Sequence, residues 1–519
     1  MNFFEMSKSV ADKFLQNIVF VDERAYIESD DNQQQSFNAK AVSDAFASKQ
    51  KLCTVFAPSS QEDVERCLPM LLKADVVVLD WNLDFQNVEV DGQADVDDEA
   101  DADQDDSRGQ HTINLISQIV ENAGQDKMRV IIVYTGETDL KKITGEIHAS
   151  LNDKAFKFDT CKLSSTNVCI LVRAKKHGED VQYPHLPELQ EMVCGYSELP
   201  DLVLEEFTRM VYGLLPDYAL NAMTVIREST SKILGVFSRE MDAAYLGHQV
   251  AIPEKEDGPR LLAEIFGGSI KELLLDSQLI EENWVDEWID EHVPVEGRHV
   301  AIKNAVLLNR EKAHRLFNSK KTSLKDKLSE VFGETVKHEK DAPIMATALF
   351  VDNAENINKR FAELTQMRNT FGPVDSPKKM NQGTIVESSG NYYVCIQPRC
   401  DTGRIKVKQD GQRAECQFLF LPLQESGNGP AVIVDDKVLR VDNTSHHIMI
   451  TAFSPNEDAH EIVFRKEGER ILVLDKKETV FEWKGELKEL QSQRINTAYT
   501  TELSRVGLDE SEWLRLNGK

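Results

Sequence analysis

The sequence predicts a doubly wound α/β domain at the N-terminus, an all-α middle region and a β-rich C-terminal domain closed by a helix. Three patterns support this order. Strand-like apolar runs alternate with helical patterns over the first 180 residues, helical spacing dominates from about 186 to 370, and two-residue alternation begins near Gly383. At 519 residues the chain is also too long for one hydrophobic core. The predicted regions are 10–182, 186–372, 380–484 and 485–519.

Five short runs rich in β-branched residues are the predicted strands of the N-terminal sheet. Three of them, VVVL, VIIVY and VCILV, are continuous apolar runs, as expected for parallel strands that helices cover on both faces. Serines and acidic first-turn residues mark the start of a helix between the second and third strands. The predicted strands are Ile18–Val21, Cys53–Ala57, Val76–Leu79, Val130–Tyr134 and Val168–Val172.

The two later regions differ in the spacing of their apolar residues. Helical spacing continues through the long stretch AMTVIRESTSKILGVFSREMDAAYLG in the middle region. TIVESSGNYYVCIQ predicts a β-hairpin because a Ser-Gly-Asn turn separates two β-rich arms. Further β-rich runs follow at short intervals, which predicts a small barrel or sandwich, and a terminal amphipathic helix is predicted over roughly 485–505.

An acidic segment interrupts the α/β pattern. Residues 91–106 hold nine acidic side chains and no Lys or Arg, so we predict a disordered insertion over 84–108. A calcium-binding loop is the functional alternative, but the ligand order and turn glycine of such loops are absent. Asp80 and Thr135 are 55 positions apart, and without the 25 insertion residues 30 remain, which is the size of one strand–helix–strand crossover.

The overall charge limits the expected partners. The chain has 60 Lys and Arg residues against 88 Asp and Glu residues, a formal net charge of −28. This charge repels nucleic-acid phosphates and anionic membranes, so we expect neither as a partner. No apolar run approaches the roughly 18–20 residues that span a bilayer, no secretory signal is recognised, and the eight cysteines form no C-x-x-C pair. These features predict a cytoplasmic location.

Acidic side chains follow two of the predicted strands. Asp22 and Glu23 come directly after the first strand, and Asp80 follows the third. The carboxyl ends of parallel strands meet in one crevice, where three carboxylates repel each other unless a cation neutralises them. Mg²⁺ is the natural counter-ion, and a carboxylate so placed can attack a phosphoryl group. Thr135, at the end of the fourth strand, adds a hydroxyl at the same rim.

The motifs VFVDER, VVVLDWNL and VIIVYTGE resemble the receiver domain of two-component response regulators, which has a flavodoxin-like fold. The resemblance implies that Asp80 accepts a phosphoryl group from a histidine kinase and that Thr135 is the switch hydroxyl. It also implies a Mg²⁺ site made by Asp22, Glu23, Asp80 and the backbone carbonyl of Asn82.

Receivers carry a lysine directly after the fifth strand and before a proline. This chain departs from that pattern, since VRAKKHGE contains no proline. Basic residues after the fifth strand suit phosphoryl oxygens, and Lys175 is the predicted counterpart. Arg173 and Lys176 are alternatives, and a different choice of fifth strand would bring in Lys157.

The rest of the chain, with IREST and LGVFSREMDAAYLGH in the middle and ELSRVGLDESEWLRL at the end, resembles large response-receiver proteins of bacterial conflict (anti-phage) operons. This resemblance implies a sensor histidine kinase or GHKL-type ATPase and a protein effector as partners, and it leaves a homodimer open. The first alternative is a pseudo-receiver scaffold that assembles with such partners without phosphoryl transfer.

An enzyme of another class is the second alternative. Cys400 and Asp401 follow a β-rich run and His446 and His447 begin another, so a Cys–His nucleophile pair would form if they met in space. The common nucleotide-binding, zinc-protease and esterase motifs are absent. We therefore expect no enzymatic activity beyond the phosphorylation chemistry of a receiver.

Overall fold

The chain falls into two structural units, Met1–Pro294 and Val295–Lys519. No helix among the described residues is both long enough and apolar enough to cross a bilayer. The predicted acidic insertion 84–108 lies outside the described residues. The computed structural model describes residues 2–26, 37–83, 109–123, 128–151, 156–176, 187–252, 257–300, 306–333, 347, 350–351, 353–369, 371, 376–403, 405, 416–455 and 461–504.

One eight-stranded sheet organises the first unit. Its strands are β1 (Asn17–Val21), β2 (Leu52–Phe56), β3 (Val76–Leu79), β4 (Arg129–Thr135), β5 (Lys157–Asp159), β6 (Lys162–Ser164), β7 (Val168–Lys175) and β8 (Val193–Cys194). The hydrogen-bonded order is β2-β1-β3-β4-β7-β6-β5, with β8 also paired to β7. Strands β1 to β4 and β7 run parallel, and the β5–β6 hairpin adds two antiparallel strands. The predicted doubly wound sheet is therefore confirmed.

Helices cover both faces of this sheet. They are α1 (Phe3–Phe14), α2 (Ala39–Ser48), α3 (Gln61–Leu71), α4 (Gln110–Ala123), α5 (Leu140–Ser150) and α6 (Leu199–Val211). Alternate strand residues face opposite ways, so Val19 and Val77 pack with α3, α4 and α5, while Ile18 and Val76 pack with α1, α2 and α6. Both faces are apolar, which explains the continuous apolar runs in the strands.

Helix α1 is absent from the sequence prediction, which began the first domain at residue 10. Its apolar side chains recur at helical spacing, and the side chain of Asn2 caps it by accepting the backbone N–H of Glu5 at 2.9 Å. Phe3 and Val10 are buried in the same core as β1 and β3. The helix is thus an integral part of the first unit.

The middle region is helical, as predicted. Its helices are α7 (Leu214–Glu228), α8 (Thr230–Val236), α9 (Asp242–Ala251), α10 (Asp257–Asp276), α11 (Trp284–His292), α12 (Arg310–Phe317), α13 (Leu324–Phe332) and α14 (Ala354–Gln366), with a two-stranded ribbon of β9 (Arg298–Val300) and β10 (Val306–Leu308). The long stretch with continuous helical spacing is divided between α7, α8 and α9. The first break is at Ser229, whose backbone is not helical. The second lies between α8 and α9, where the hydroxyl of Ser238 caps a short 3₁₀ turn by accepting the N–H of Glu240.

A nine-stranded antiparallel sheet forms the β-rich region. Its strands are β11 (Thr384–Ser388), β12 (Asn391–Cys395), β13 (Cys416–Gln424), β14 (Ala431–Val434), β15 (Lys437–Val441), β16 (Met449–Phe453), β17 (Arg465–Glu467), β18 (Arg470–Leu474) and β19 (Val480–Glu486). The order is β14-β15-β13-β12-β11-β19-β18-β17, with β16 also paired to β13. Two helices complete it: the short α15 (Arg399–Thr402) and the longer terminal helix α16 (Glu489–Leu503).

The predicted hairpin is formed by β11 and β12. Its two turn residues, Ser389 and Gly390, have φ angles of 52° and 79°. Two consecutive left-handed residues form the type I′ turn that matches the twist of a two-residue hairpin. Apolar clusters lie on both sides of the sheet, one around Ile385 and Leu421 and the other around Val386. The predicted β-rich region and its terminal helix are confirmed.

Candidate functional site

Four parallel strands deliver polar side chains to one edge of the first sheet. Asp22 follows β1, Asp80 follows β3, and Thr135 and Lys175 are the last residues of β4 and β7. These strands are direct neighbours in the order β1-β3-β4-β7, so their carboxyl ends lie side by side. The backbone N–H of Asp80 also donates to the carbonyl of Val21 at 2.8 Å, which fixes the first two strand ends against each other.

Lys175 supplies a buried cation at this edge. Its Nζ lies 2.5 Å from Oδ1 of Asp80 and 2.9 Å from Oδ2 of Asp22, and the residue is only 5% exposed. Burial alone would lower the pKa of Lys175, but the charges of Asp80 and Asp22 outweigh it and raise the pKa. The rings of Phe37 and Tyr134 lie 5.4 and 5.8 Å from Nζ. Lys175 therefore remains charged although water hardly reaches it.

The other basic candidates lie elsewhere. Arg173 is buried, and its guanidinium donates to backbone carbonyls of its own strand and of the preceding turn. Lys176 is exposed, and Lys157 is exposed on β5 at the far edge of the sheet. Of the four basic residues considered from the sequence, the structure brings Lys175 to the acidic pair.

Glu23 carries a carboxylate that is short of partners. Its Oε1 lies 3.3 Å from Nε of Arg24, while its Oε2 is buried without a hydrogen-bond donor. Burial, followed by the negative charges of Asp80 and Asp22, raises the pKa of Glu23 to about 8. Burial also raises the pKa of Asp80, although Lys175 opposes this effect. Full ionisation of the three carboxyl groups is therefore unfavourable unless further positive charge enters the pocket.

Asn82 and Glu137 close the rim between β3 and β4. The backbone N–H of Asn82 donates to Oδ2 of Asp80 at 2.8 Å, and its Nδ2 donates to Oε1 of Glu137 at 3.0 Å. The hydroxyl of Thr135, which is 1% exposed, accepts the backbone N–H of Glu137 at 3.0 Å. Thr112 donates its hydroxyl proton to the carbonyl of Asp80 at 2.7 Å.

Glu137 and Thr112 were not among the residues predicted from the sequence. The position of Glu137 could have indicated a place at the site, since it stands two positions after Thr135 in VIIVYTGE. No sequence pattern indicated Thr112. It lies on α4, beyond the acidic insertion, and its contact with Asp80 forms only when the segment between β3 and β4 is folded.

A comparison with known families identifies the N-terminal part of the chain. Residues 14–179 match the family model of the response receiver domain. This part of the chain is a response receiver domain. The protein therefore has a response-regulator-like signalling role of the kind found in two-component phosphorelays. No curated protein and no solved structure matches the chain.

The receiver pocket offers an oxygen-only donor set to a cation. Within the described part of the chain, no three or more Asp, Glu, His or Cys side chains are arranged as a ready metal-ligand group. Lys175 instead contacts Asp22 and Asp80, two of the predicted ligands. Oε2 of Glu23 and Oδ1 of Asn82 are both buried without partners. Carboxylate and amide oxygens in an acidic pocket fit a hard divalent ion such as Mg²⁺.

Outside the receiver domain, the second unit does not bring the predicted Cys–His pair together. Cys400 is exposed on α15, and its Sγ lies 3.6 Å from Oδ1 of Asp401. His447 instead pairs with Asp442, with Nδ1 and Oδ2 2.7 Å apart, and its ring lies edge-on to His446. No hydrogen bond between described residues joins Cys400 to either histidine.

Proposed function

We propose that the receiver domain accepts a phosphoryl group on Asp80 from the phosphohistidine of a partner kinase, and that Mg²⁺ assists this transfer. The observation that carries the proposal is the contact of 2.5 Å between Nζ of Lys175 and Oδ1 of Asp80 in a buried acidic pocket. A fixed cation beside a carboxylate at the end of a parallel strand is suited to bind the oxygens of a transferred phosphoryl group.

The charge of the pocket supports a divalent ion. Asp22, Glu23 and Asp80 carry three negative charges when ionised, and Lys175 supplies one positive charge, which leaves two negative charges. The guanidinium of Arg24 is more exposed, and its Nε lies 3.3 Å from Oε1 of Glu23. When bound, Mg²⁺ would supply the missing positive charge and attract the phosphoryl oxygens. We propose Asp22, Glu23, Asp80 and the backbone carbonyl of Asn82 as its ligands.

The transfer is a displacement at phosphorus. A carboxylate oxygen of Asp80 attacks, the P–N bond to the histidine ring breaks, and the imidazole leaves with the bonding electron pair. The product is an acyl phosphate on Asp80. The ammonium of Lys175 pairs with a phosphoryl oxygen. The hydroxyl of Thr135, which accepts the N–H of Glu137, donates its own proton to another phosphoryl oxygen.

The partners follow from the family resemblance of the whole chain. We propose a sensor histidine kinase or GHKL-type ATPase as phosphoryl donor, and a protein effector that the helical and β-rich regions contact. The resemblance also supports a role in bacterial anti-phage defence in the cytoplasm.

Phosphorylation and metal binding test the proposal together. Wild type should gain a base-labile phosphoryl group from acetyl phosphate, and its melting temperature should rise with Mg²⁺ because the ion binds the folded state. Asp80→Asn should abolish the label and weaken Mg²⁺ binding. Asp22→Asn should slow labelling and lower metal affinity. Asp44→Asn, an exposed change on α2, is the matched control and should behave as wild type.

A scaffold without phosphoryl transfer is the second candidate. The observation that favours it is that Nζ of Lys175 contacts both Asp22 and Asp80, so each carboxylate already has a cationic partner within the chain. Beryllofluoride with Mg²⁺ should raise the melting temperature only if the site accepts a phosphoryl group. If wild type shows no labile phosphate, no Mg²⁺ effect and no beryllofluoride effect, the scaffold function replaces the receiver chemistry.

A further inference from the structure

The β-rich region carries a cavity that is basic although the chain is strongly acidic. The cavity measures about 570 Å³, within the usual range for small-molecule sites. Among the described residues, its walls contain two arginines and no acidic side chain, in a chain of net charge −28. The lining residues are Gln366, Asn428, Gly429, Pro430, Ala431, Arg440, Asn443, Arg494 and Ala498.

The two arginines come from different elements and have no counter-ion. Arg440 lies on β15 and Arg494 on α16, and neither guanidinium has a carboxylate or hydrogen-bond acceptor among the described residues. Other arginines of the same region are paired: Arg368 contacts Glu486 at 3.1 Å, and Arg470 contacts Glu482 at 2.6 Å. Arg440 and Arg494 are both exposed, so their guanidinium groups are open to a ligand from solvent.

A buried amide lies in the same wall. Asn443 is only 8% exposed, and its Oδ1 has no hydrogen-bond partner. Its backbone is fixed, since its N–H donates to Oδ1 of Asn428 at 3.0 Å. A side chain at Gly429 would place its Cβ 2.7 Å from Nδ2 of Asn443, so glycine leaves space for the amide. A buried polar atom without a partner costs free energy unless a ligand or water satisfies it.

We propose that this cavity binds a phosphomonoester of a small organic molecule. Two guanidinium groups match the charge of a phosphomonoester, which is close to −2 at neutral pH, and their planar donors suit its oxygens. The side-chain amide of Asn443 hydrogen-bonds to a polar group of the organic part, and Pro430 and Ala498 contact its apolar surface. The β-rich region is then a ligand sensor, separate from phosphorylation at Asp80.

Titration of the full chain with defined probes tests the proposal. The probes are inorganic phosphate, glucose 6-phosphate and adenosine monophosphate, with glucose and gluconate as the uncharged and carboxylate comparisons, at constant ionic strength because exposed charges are screened by salt. We expect saturable calorimetric binding of at least one phosphomonoester, one per chain. Arg440→Gln and Arg494→Gln should each weaken it about tenfold or more.

Matched variants distinguish binding in this cavity from nonspecific electrostatic binding and from binding at the receiver pocket. Arg360→Gln removes the same charge from an exposed position on α14 outside the cavity and should leave binding unchanged, as should Asp80→Asn. The proposal is overturned if no phosphate probe binds saturably up to about 10 mM. It is also overturned if both cavity variants bind like wild type, or if gluconate binds as tightly as glucose 6-phosphate, since a carboxylate would then be the ligand.

Discussion

Nζ of Lys175 donates to Oδ1 of Asp80 at 2.5 Å, at the carboxyl ends of two strands separated by β4. The same ammonium group lies 2.9 Å from Oδ2 of Asp22. One buried cation thus holds together two carboxylates from different strand ends. Its removal would leave those carboxylates, and the already under-paired Glu23, facing one another in a poorly solvated pocket.

Lys175→Gln should therefore destabilise the receiver domain strongly when no divalent ion is present. We expect a loss of about 3–5 kcal/mol, as for other buried ion pairs that lose one partner. Added Mg²⁺ should recover part of the loss because it replaces the missing positive charge. Urea denaturation with chelator and with Mg²⁺ measures both effects. Lys176→Gln, at the exposed neighbouring position, is the control, and equal losses in the two variants would contradict the prediction.

Much of the receiver domain could be predicted from its sequence because the signals are local. The five parallel strands are short runs rich in β-branched residues, three of them continuously apolar, and acidic residues directly follow two of them. The structure places Asp22 and Asp80 at adjacent strand ends and extends the fifth strand to Lys175. The order of strands along the chain, together with the geometry of parallel sheets, was enough to bring these residues together.

Other features depend on contacts between distant segments. The sequence favoured Lys175 but left Arg173 open, because both follow the predicted fifth strand. The contacts of Lys175 with Asp22 and Asp80 distinguish the two in the structure. The long helical stretch divides at Ser229, next to Thr230, whose hydroxyl donates to backbone carbonyls of the preceding turn. Apolar spacing does not report such polar contacts. The unpaired arginines of the β-rich cavity come from β15 and α16, which are 54 positions apart at Arg440 and Arg494.

Thr135→Ala tests the hydroxyl of the receiver pocket. The change removes the acceptor for the N–H of Glu137 and should cost about 1 kcal/mol, while Thr135→Ser keeps the hydroxyl and most of the stability. Labelling of Asp80 by acetyl phosphate should persist in both variants, because the nucleophile is intact. Beryllofluoride should stabilise Thr135→Ala less than Thr135→Ser. Equal stabilisation of the two variants would show that this hydroxyl does not contact the phosphoryl group.

Replacement of residues 84–108 by a short Gly-Ser linker should preserve the receiver fold. The reason lies in the sequence: the segment is highly acidic, and 30 residues suffice for the crossover between Asp80 and Thr135. Shortening a loop changes closure entropy only slightly, so the free energy of unfolding should change by less than about 2 kcal/mol. Chemical denaturation and acetyl phosphate labelling check stability and site integrity. A larger loss would mean that the segment contributes contacts of its own.

Asp217 on α7 provides a test away from the receiver pocket. It is fully buried, and the hydroxyl of Ser7 on α1 donates to its Oδ2 at 2.6 Å. Burial raises the pKa of Asp217, and the hydrogen bond from Ser7 only partly offsets this. The indole of Trp284 also lowers the pKa slightly, yet neither Oδ1 of Asp217 nor Nε1 of Trp284 completes a hydrogen bond. The ionised carboxylate is therefore poorly accommodated between the helices.

The raised pKa of Asp217 gives a definite sign to the pH dependence. Above its ordinary value of 3.8, the folded chain retains a proton that the unfolded chain has released, so stability falls as the pH rises toward the folded pKa. Asp217→Asn keeps an acceptor for Ser7 and has no proton to lose. Its melting temperature should match wild type near pH 4 and exceed it at pH 7. Asp217→Ala should instead be less stable at both pH values, by about 1–3 kcal/mol, because Ser7 loses its acceptor. Calorimetric melts from pH 4 to 8 measure this difference, and a gap between Asp217→Asn and wild type that stays constant with pH would show that the carboxyl is ionised throughout.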